Sequence, residues 1–179
     1  MRLKKIIKQL EGKFPLELAE EWDNVGLLLD STRREIKSIM LCLDITRDIV
    51  DNAVANKVDL IISHHPFIFS PLKKITTDEV NGEKILKLAR NNIAVYSMHT
   101  NIDSGIGGLN DFIIKKIGQE GKVFAISDNR SIELRKLVTS DLIDAKDKII
   151  NPLRIQKLKN AITIEELCKI IKEKLCIPN

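Results

Sequence analysis

The sequence predicts an α/β fold, layered, with a mostly parallel central sheet flanked by helices, and three observations predict it. Short, nearly continuous apolar runs recur between residues 25 and 99, the pattern of strands buried on both faces. Segments with apolar residues at helical spacing separate these runs. The resulting succession of strand, helix, strand, helix, strand, helix is that of a sheet whose parallel strands are joined by helical crossovers.

Taken in order, Leu3, Ile6, Ile7 and Leu10 place a helix over residues 3–13, and "PLELAEEW" reads as a second short helix with Pro15 near its start. "VGLLLD" (25–30) and "SIMLCLDI" (38–45) are strands. In "TRDIVDNAVANK" (46–57), Thr46 is a plausible N-cap and Ile49, Val50, Ala53 and Val54 form the apolar stripe. "VDLIISHH" (58–65) is a strand, "EVNGEKILKLARNN" (79–92) a helix, "IAVYSMH" (93–99) a strand, and "GGLNDFIIKKIG" (107–118) a helix closed by Gly118. Beyond Gly121 there is no glycine, although the chain has eight. There "KVFAIS" and "SIELRKLV" are candidate strands, and "TIEELCKIIKEKL" is an amphipathic helix with Thr163 and Glu166 spaced as a capping box. This change of character divides the chain into a lobe over residues 1–121 and a continuation over 122–179.

Bulk properties exclude several classes. Hydrophobic content of 44% with 30% charged residues describes an ordinary folded domain. No apolar run approaches the roughly 18 residues of a membrane span, and the amino-terminal segment alternates charge with apolar residues, unlike a signal peptide. Cys42, Cys168 and Cys176 form no C-x-x-C pair, which points to reduced thiols and a cytoplasmic location. The net charge of +4 comes from lysines interspersed with acidic residues, and one Trp, one Tyr and five Phe make no base-stacking platform. A solvated Lys/Glu surface is the preferred explanation of the charge; no membrane partner is expected, and a nucleic-acid partner is disfavoured.

All three histidines of the chain, His64, His65 and His99, fall at carboxyl ends of strands, as does Asp44. Ligand sites of open α/β sheets form just outside those ends. Adjacent side chains of a regular strand point to opposite faces. Pro66 holds His65 in extended geometry where the chain can turn, so both imidazoles can enter one cavity. That suits two metal ions, each taking one histidine. "YSMHTNIDSGIGGLND" adds Asp103 four residues after His99, with Ser104, Gly105, Gly107 and Gly108 allowing the sharp turns that let a carboxylate approach. Imidazole with carboxylate suits zinc, iron or manganese. A single histidine at a strand end is usually just a hydrogen-bonded polar residue; three of three with an aspartate in reach favour a metal site. Asp44 reads either as a partner of a ligand or, preferred here, as a residue starting the following helix. "GIGG" lacks the Lys-Ser/Thr of a phosphate loop.

"EEWDNVGLLLD", "SHHPFIFSPLKKI" and "YSMHTNIDSGIGGLND", in this order, resemble the GTP cyclohydrolase 1 type 2 homologue family, the Nif-three-like dinuclear metal centre proteins. The resemblance covers about residues 1–118. It implies the first lobe of a two-lobed subunit, assembled as a homo-oligomeric hexameric ring, with two divalent metals per site in a cleft. It implies His64 and His65 as metal ligands, Asp103 as the bridging ligand and His99 as a catalytic residue beside them that can shuttle protons, while Trp22, Asp23 and Asn24 match a signature shaping the site entrance. The implied activity is metal-dependent hydrolysis that opens the guanine ring of a nucleotide substrate, GTP. "PLRIQKLKNAITIEELCKIIKEKL" is similar to a further family segment, a glycine-arginine strand followed by a helix. Here Pro152, Leu153 and Gln156 surround Arg154 and the glycines are absent. Family members add a histidine and a glutamate ligand from a second half, and no histidine follows His99 here. The chain is therefore expected to be a truncated product, a fragment or a member with half a site, binding metal weakly and turning over little. The competing expectations are a non-catalytic metal-binding or scaffold protein that acts through partners and, behind it, a DNA-binding ring.

Overall fold

The computed structural model describes residues 1–33, 35–119, 121–125 and 153–177, so the candidate strand "SIELRKLV" lies outside the described residues. The chain divides into two compact units, Met1–Asn101 and Ile102–Asn179.

The first unit is a layered α/β structure. Helix α1 (Leu3–Lys13) buries Leu3 and Ile6. The stretch expected to form a second helix keeps only one 3-10 turn, Leu16–Leu18. Tertiary partners override its helical composition: the Glu20 N–H donates to the Thr100 hydroxyl at 3.0 Å instead of to a helical carbonyl. The sheet is built from β1 (Gly26–Leu29), β2 (Ile39–Cys42), β3 (Leu60–Ser63) and β4 (Ala94–Ser97), in the spatial order β1-β4-β3-β2. Strands β2, β3 and β4 are parallel and in step, with Ile39 beside Leu60 beside Ala94, while β1 is antiparallel to β4. The mostly parallel sheet is the one that the sequence predicts.

Two crossover helices, α2 (Arg47–Ala55) and α3 (Val80–Arg90), cover one face. Val50 and Ala53 of α2 and Ile85 and Leu88 of α3 pack with Ile61 and Val95 of the sheet, all buried. Thr46 caps α2 as expected, accepting from the Ile49 N–H at 3.2 Å. Side chains alternate along a strand, so Leu60, Ala94 and Tyr96 face the other layer. There the Tyr96 hydroxyl donates to Glu11 of α1 at 3.4 Å. Burial, reinforced by the Glu11 charge, pushes this phenol above its ordinary range and keeps it a donor.

Strand β2 departs from the expectation of burial on both faces. Met40 and Cys42 pack against the core, but Ile39 and Leu41 point the other way and are 47% and 74% exposed. The cause is position: β2 is the edge of the sheet. An apolar run shows that a strand can be buried twice, not that a second layer reaches it. Strands β3 and β4 lie inside the sheet and are buried as predicted.

In the second unit, α5 (Leu109–Ile117) ends at Gly118, whose φ of 74° supplies the left-handed cap read from the sequence. Strand β5 (Gly121–Ala125) pairs antiparallel with β6 (Arg154–Leu158). Helix α6 (Ile164–Leu175) starts on the predicted capping box, Thr163 Oγ1 accepting from Glu166 N and Glu166 Oε2 from Thr163 N. Arg154, with its side chain 2% exposed, ties this unit together: it pairs with Asp111 of α5 at 2.8 Å and donates to the carbonyls of Ser104 and Gly105.

Leu88→Ala removes a fully buried side chain at the contact of α3 with the sheet and is expected to destabilise the first unit by about 2–5 kcal/mol. Leu41→Ala, on the exposed side of β2, is expected to stay within about 0.5 kcal/mol of the parent. Urea unfolding of both variants checks the pair.

Candidate metal centre

Strands β3 and β4 end level with each other, with Ser63 beside Ser97. Their hydroxyls meet at 2.8 Å, and Ser63 Oγ donates to the His65 carbonyl at 2.9 Å. A hydroxyl has one proton, so Ser97 is the donor between the two serines. This buried pair closes the strand ends and bends the chain at His64 and His65 immediately beyond β3. The strand alternation stops there. The backbone N–H groups of both histidines still continue the ladder, donating to Cys42 O and Leu43 O.

The result is a cluster of three imidazoles. The ring of His64 lies 5.1 Å from that of His65 and 5.1 Å from that of His99, and the His65 and His99 rings are 5.6 Å apart. One ring nitrogen of each lies within 4.8 Å of the other two. Among the described residues these three form the group able to hold a metal ion.

Each imidazole is oriented through Nδ1. His64 Nδ1 meets the Met98 carbonyl at 3.0 Å, His65 Nδ1 meets Asp44 Oδ1 at 2.7 Å, and His99 Nδ1 meets Asp23 Oδ1 at 3.0 Å. Carbonyl and carboxylate oxygens only accept, so Nδ1 carries the proton in all three rings and the lone pair of the neutral ring is on Nε2. Carboxylate–histidine pairs of this kind orient imidazole ligands in metalloproteins and raise their basicity. The donor set fits a zinc, iron or manganese ion. The nearby Cys42 adds no thiolate, because burial, with the Asp44 charge second, pushes its thiol up.

Asp23 holds the opposite side of the site. Its side chain is fully buried. Oδ1 accepts from His99 Nδ1 and from Asn24 N, at 2.8 Å, and Oδ2 accepts from the N–H of Thr100 at 3.1 Å and from its hydroxyl. Burial alone raises this carboxyl. The hydrogen bonds from the Thr100 hydroxyl, His99 and the two backbone N–H groups outweigh it and hold the carboxyl below its usual 3.8. Asn24 extends the link, donating through Nδ2 to the Ile68 carbonyl at 2.5 Å in the loop after the histidine pair. Trp22, 59% exposed, stands edge-on to His99 and to Phe69, with ring centres 6.1 Å from each.

The structure thus brings His64, His65 and His99 together. Asp103 lies on the short helix α4 (Thr100–Ser104), between the predicted strand over 93–99 and the predicted helix over 107–118. It belongs to the second unit, and its carbonyl accepts from Asn110 Nδ2 at 3.2 Å. Asp44, read preferentially as a helix start, is instead the hydrogen-bond partner of His65, while Thr46 takes the cap. Asp23, which the resemblance groups with the site entrance, is also the hydrogen-bond partner of His99. The available signal was a carboxylate between Trp22 and Asn24 with no helical role.

The family model of Duf34/NIF3 (NGG1p interacting factor 3) matches residues 1–179. The chain belongs to this family. It is 34% identical over 173 residues to a protein of Clostridium acetobutylicum named GTP cyclohydrolase 1 type 2 homolog, covering 97% of this chain and 59% of that protein. A protein of the same name from Clostridium perfringens is 35% identical over 179 residues, covering 96% of this chain and 68% of the relative. The crystal structure of a Staphylococcus aureus hypothetical protein superposes with a TM-score of 0.77 at 29% identity, over 100% of this chain and 66% of that one. The chain therefore spans about three-fifths to two-thirds of the length of these relatives. No helix among the described residues is long and apolar enough to cross a membrane.

Asp23→Asn is expected to cost about 1–3 kcal/mol at neutral pH by weakening charge-assisted hydrogen bonds to a buried carboxylate. A carboxyl held below its unfolded value stabilises the fold above about pH 3.8 and loses that contribution as the pH falls through its folded value. The gap between variant and parent should therefore narrow in acid, which urea midpoints measured from pH 7 to pH 3 will show.

Proposed function

We propose that this chain carries part of the divalent-metal centre of a metal-dependent hydrolase acting on a nucleotide. His64 and His65 are its ligands, Asp103 is the bridging carboxylate and His99 is the group that handles protons beside them. The observation that supports this reading is the three-imidazole cluster, with every Nδ1 held by an oxygen acceptor. Histidines that serve only packing have no need of three ring nitrogens gathered within 4.8 Å of one another. When bound, a divalent ion would supply Lewis acidity and an activated water at neutral pH.

The residues of the chain do the rest. Asp44 and the Met98 carbonyl keep His65 and His64 in the tautomer that presents Nε2, and Asp23 does the same for His99. His99 is 19% exposed by side chain, sheltered beside Trp22, yet open enough to exchange a proton with a substrate. GTP is the proposed substrate, because the chain resembles proteins named as homologues of a GTP cyclohydrolase. The ring assembly implied by the same resemblance belongs to this proposal.

Metal analysis of the purified chain tests the first part. His64→Ala with His65→Ala is expected to abolish bound zinc, iron or manganese, and Asp44→Ala to weaken affinity about 10–100-fold. Metal content that is absent from the parent, or unchanged in the double variant, rules the centre out. For the reaction, formate release from GTP by the metal-loaded chain, lost on His99→Ala, separates a hydrolase from a metal-binding scaffold.

A further inference from the structure

Next to the histidines, on the side of His65, the first unit has an open cavity of about 530 Å³, within the size range of small-molecule sites. Its walls are mixed: Ile45, Pro66, Phe67, Phe69 and Leu72 give an apolar part, and His65 and Asp44, which also meet at the imidazole cluster, belong to the polar part. One cation lines it. Lys84 reaches in from α3, donates to the Ile45 carbonyl at 2.8 Å and places its ammonium 5.3 Å from the centre of the Phe67 ring.

This lysine has an electrostatic deficit. An ammonium has three donors, and a single carbonyl accepts from this one among the described residues. The carboxylates around it are engaged elsewhere: Glu83 pairs with Arg47 at 2.9 Å and Asp44 with His65 at 2.7 Å. Burial, with repulsion from Arg47 and against the attraction of Asp44, pulls the Lys84 ammonium below its ordinary range. A partly desolvated cation beside an aromatic wall is costly unless an anion joins it. The neighbouring lysine on the same helix, Lys87, is exposed and already paired with Asp51 at 2.5 Å, so the deficit belongs to the cavity.

We propose that this cavity is the substrate site of the histidine centre, and that Lys84 is its specificity-determining residue, receiving the oxyanion of a small molecule whose flat, apolar part lies along Phe67 and Phe69. The shared chemistry is a phosphate or a carboxylate attached to a ring. Ser70 and Asn81 at the wall offer further hydrogen bonds to it. The inference rests on the proposed function for the identity of the reacting centre and deepens it by naming the class of substrate. Binding to Lys84 itself needs no metal.

The test uses the whole chain after treatment with a chelator, and Trp22 reports it. This is the single tryptophan of the sequence, and it stands edge-on to the cavity residue Phe69. Phenyl phosphate and benzoate are titrated separately, with phenol as the uncharged analogue. One of the two anions is expected to bind saturably and phenol much more weakly, and which anion binds identifies the source of the oxyanion. Lys84→Met should weaken that anion by at least about tenfold, Lys84→Arg should retain it within about threefold, and Lys87→Met should leave it unchanged. On the parent chain alone, the bound anion should protect Lys84, and not Lys87, from acetylation by limiting acetic anhydride. Absence of saturable binding, equal weakening by Lys87→Met, or unprotected Lys84 overturns the proposal. Metal content is measured in parallel, so anion binding without metal binding leaves this inference standing and removes the hydrolase reading instead.

Discussion

Everything that makes the site depends on the level at which β3 and β4 end. Their parallel, in-step pairing sets Ser63 beside Ser97, and so the residues that follow, His64 and His65 on one strand and Met98 and His99 on the other, leave the sheet together. A shift of one residue in this register would send the side chains to the opposite faces. The pairing resists such a shift because each face is committed: Ile61 and Val95 to the layer of α2 and α3, Leu60, Ala94 and Tyr96 to the layer of α1. Packing of the core and placement of the histidines are one constraint.

On that frame, the electrostatics are arranged from outside the sheet. Asp23 comes from a segment that forgoes a helix, and its buried carboxylate joins the segment to Thr100 and His99. Asp44 comes from the turn after β2 and holds His65. The two carboxylates thus reach the cluster from two separate segments, one before β1 and one after β2, and each fixes the tautomer of one imidazole. The same turn after β2 supplies the Ile45 carbonyl that anchors Lys84, so the imidazole cluster and the cavity beside it share one supporting segment.

Much of this was legible in the sequence because it rests on local chemistry. Apolar runs and helical stripes mark β3, β4, α2 and α3, the caps at Thr46 and Thr163 obey short-range hydrogen-bonding rules, and Pro66 after two histidines announces a strand that ends in a bend. The second short helix is not realised, because its composition is helical while its hydrogen-bond partner, Thr100, lies 80 residues away. Strand β2 departs from the expected burial because apolar content measures what a strand can bury, and its place at a sheet edge is decided by the other strands.

The sequence alone determined the α/β class, the strand-end position of all three histidines and the donor chemistry they can offer, since these follow from periodicity and residue type. Only the tertiary structure decided which oxygen each imidazole meets, that Asp44 serves His65 and not a helix start, and that Lys84 lines a cavity beside Phe67 without a carboxylate of its own. Those outcomes depend on distances between residues far apart in the chain, set by strand register and helix packing, and no local pattern encodes them.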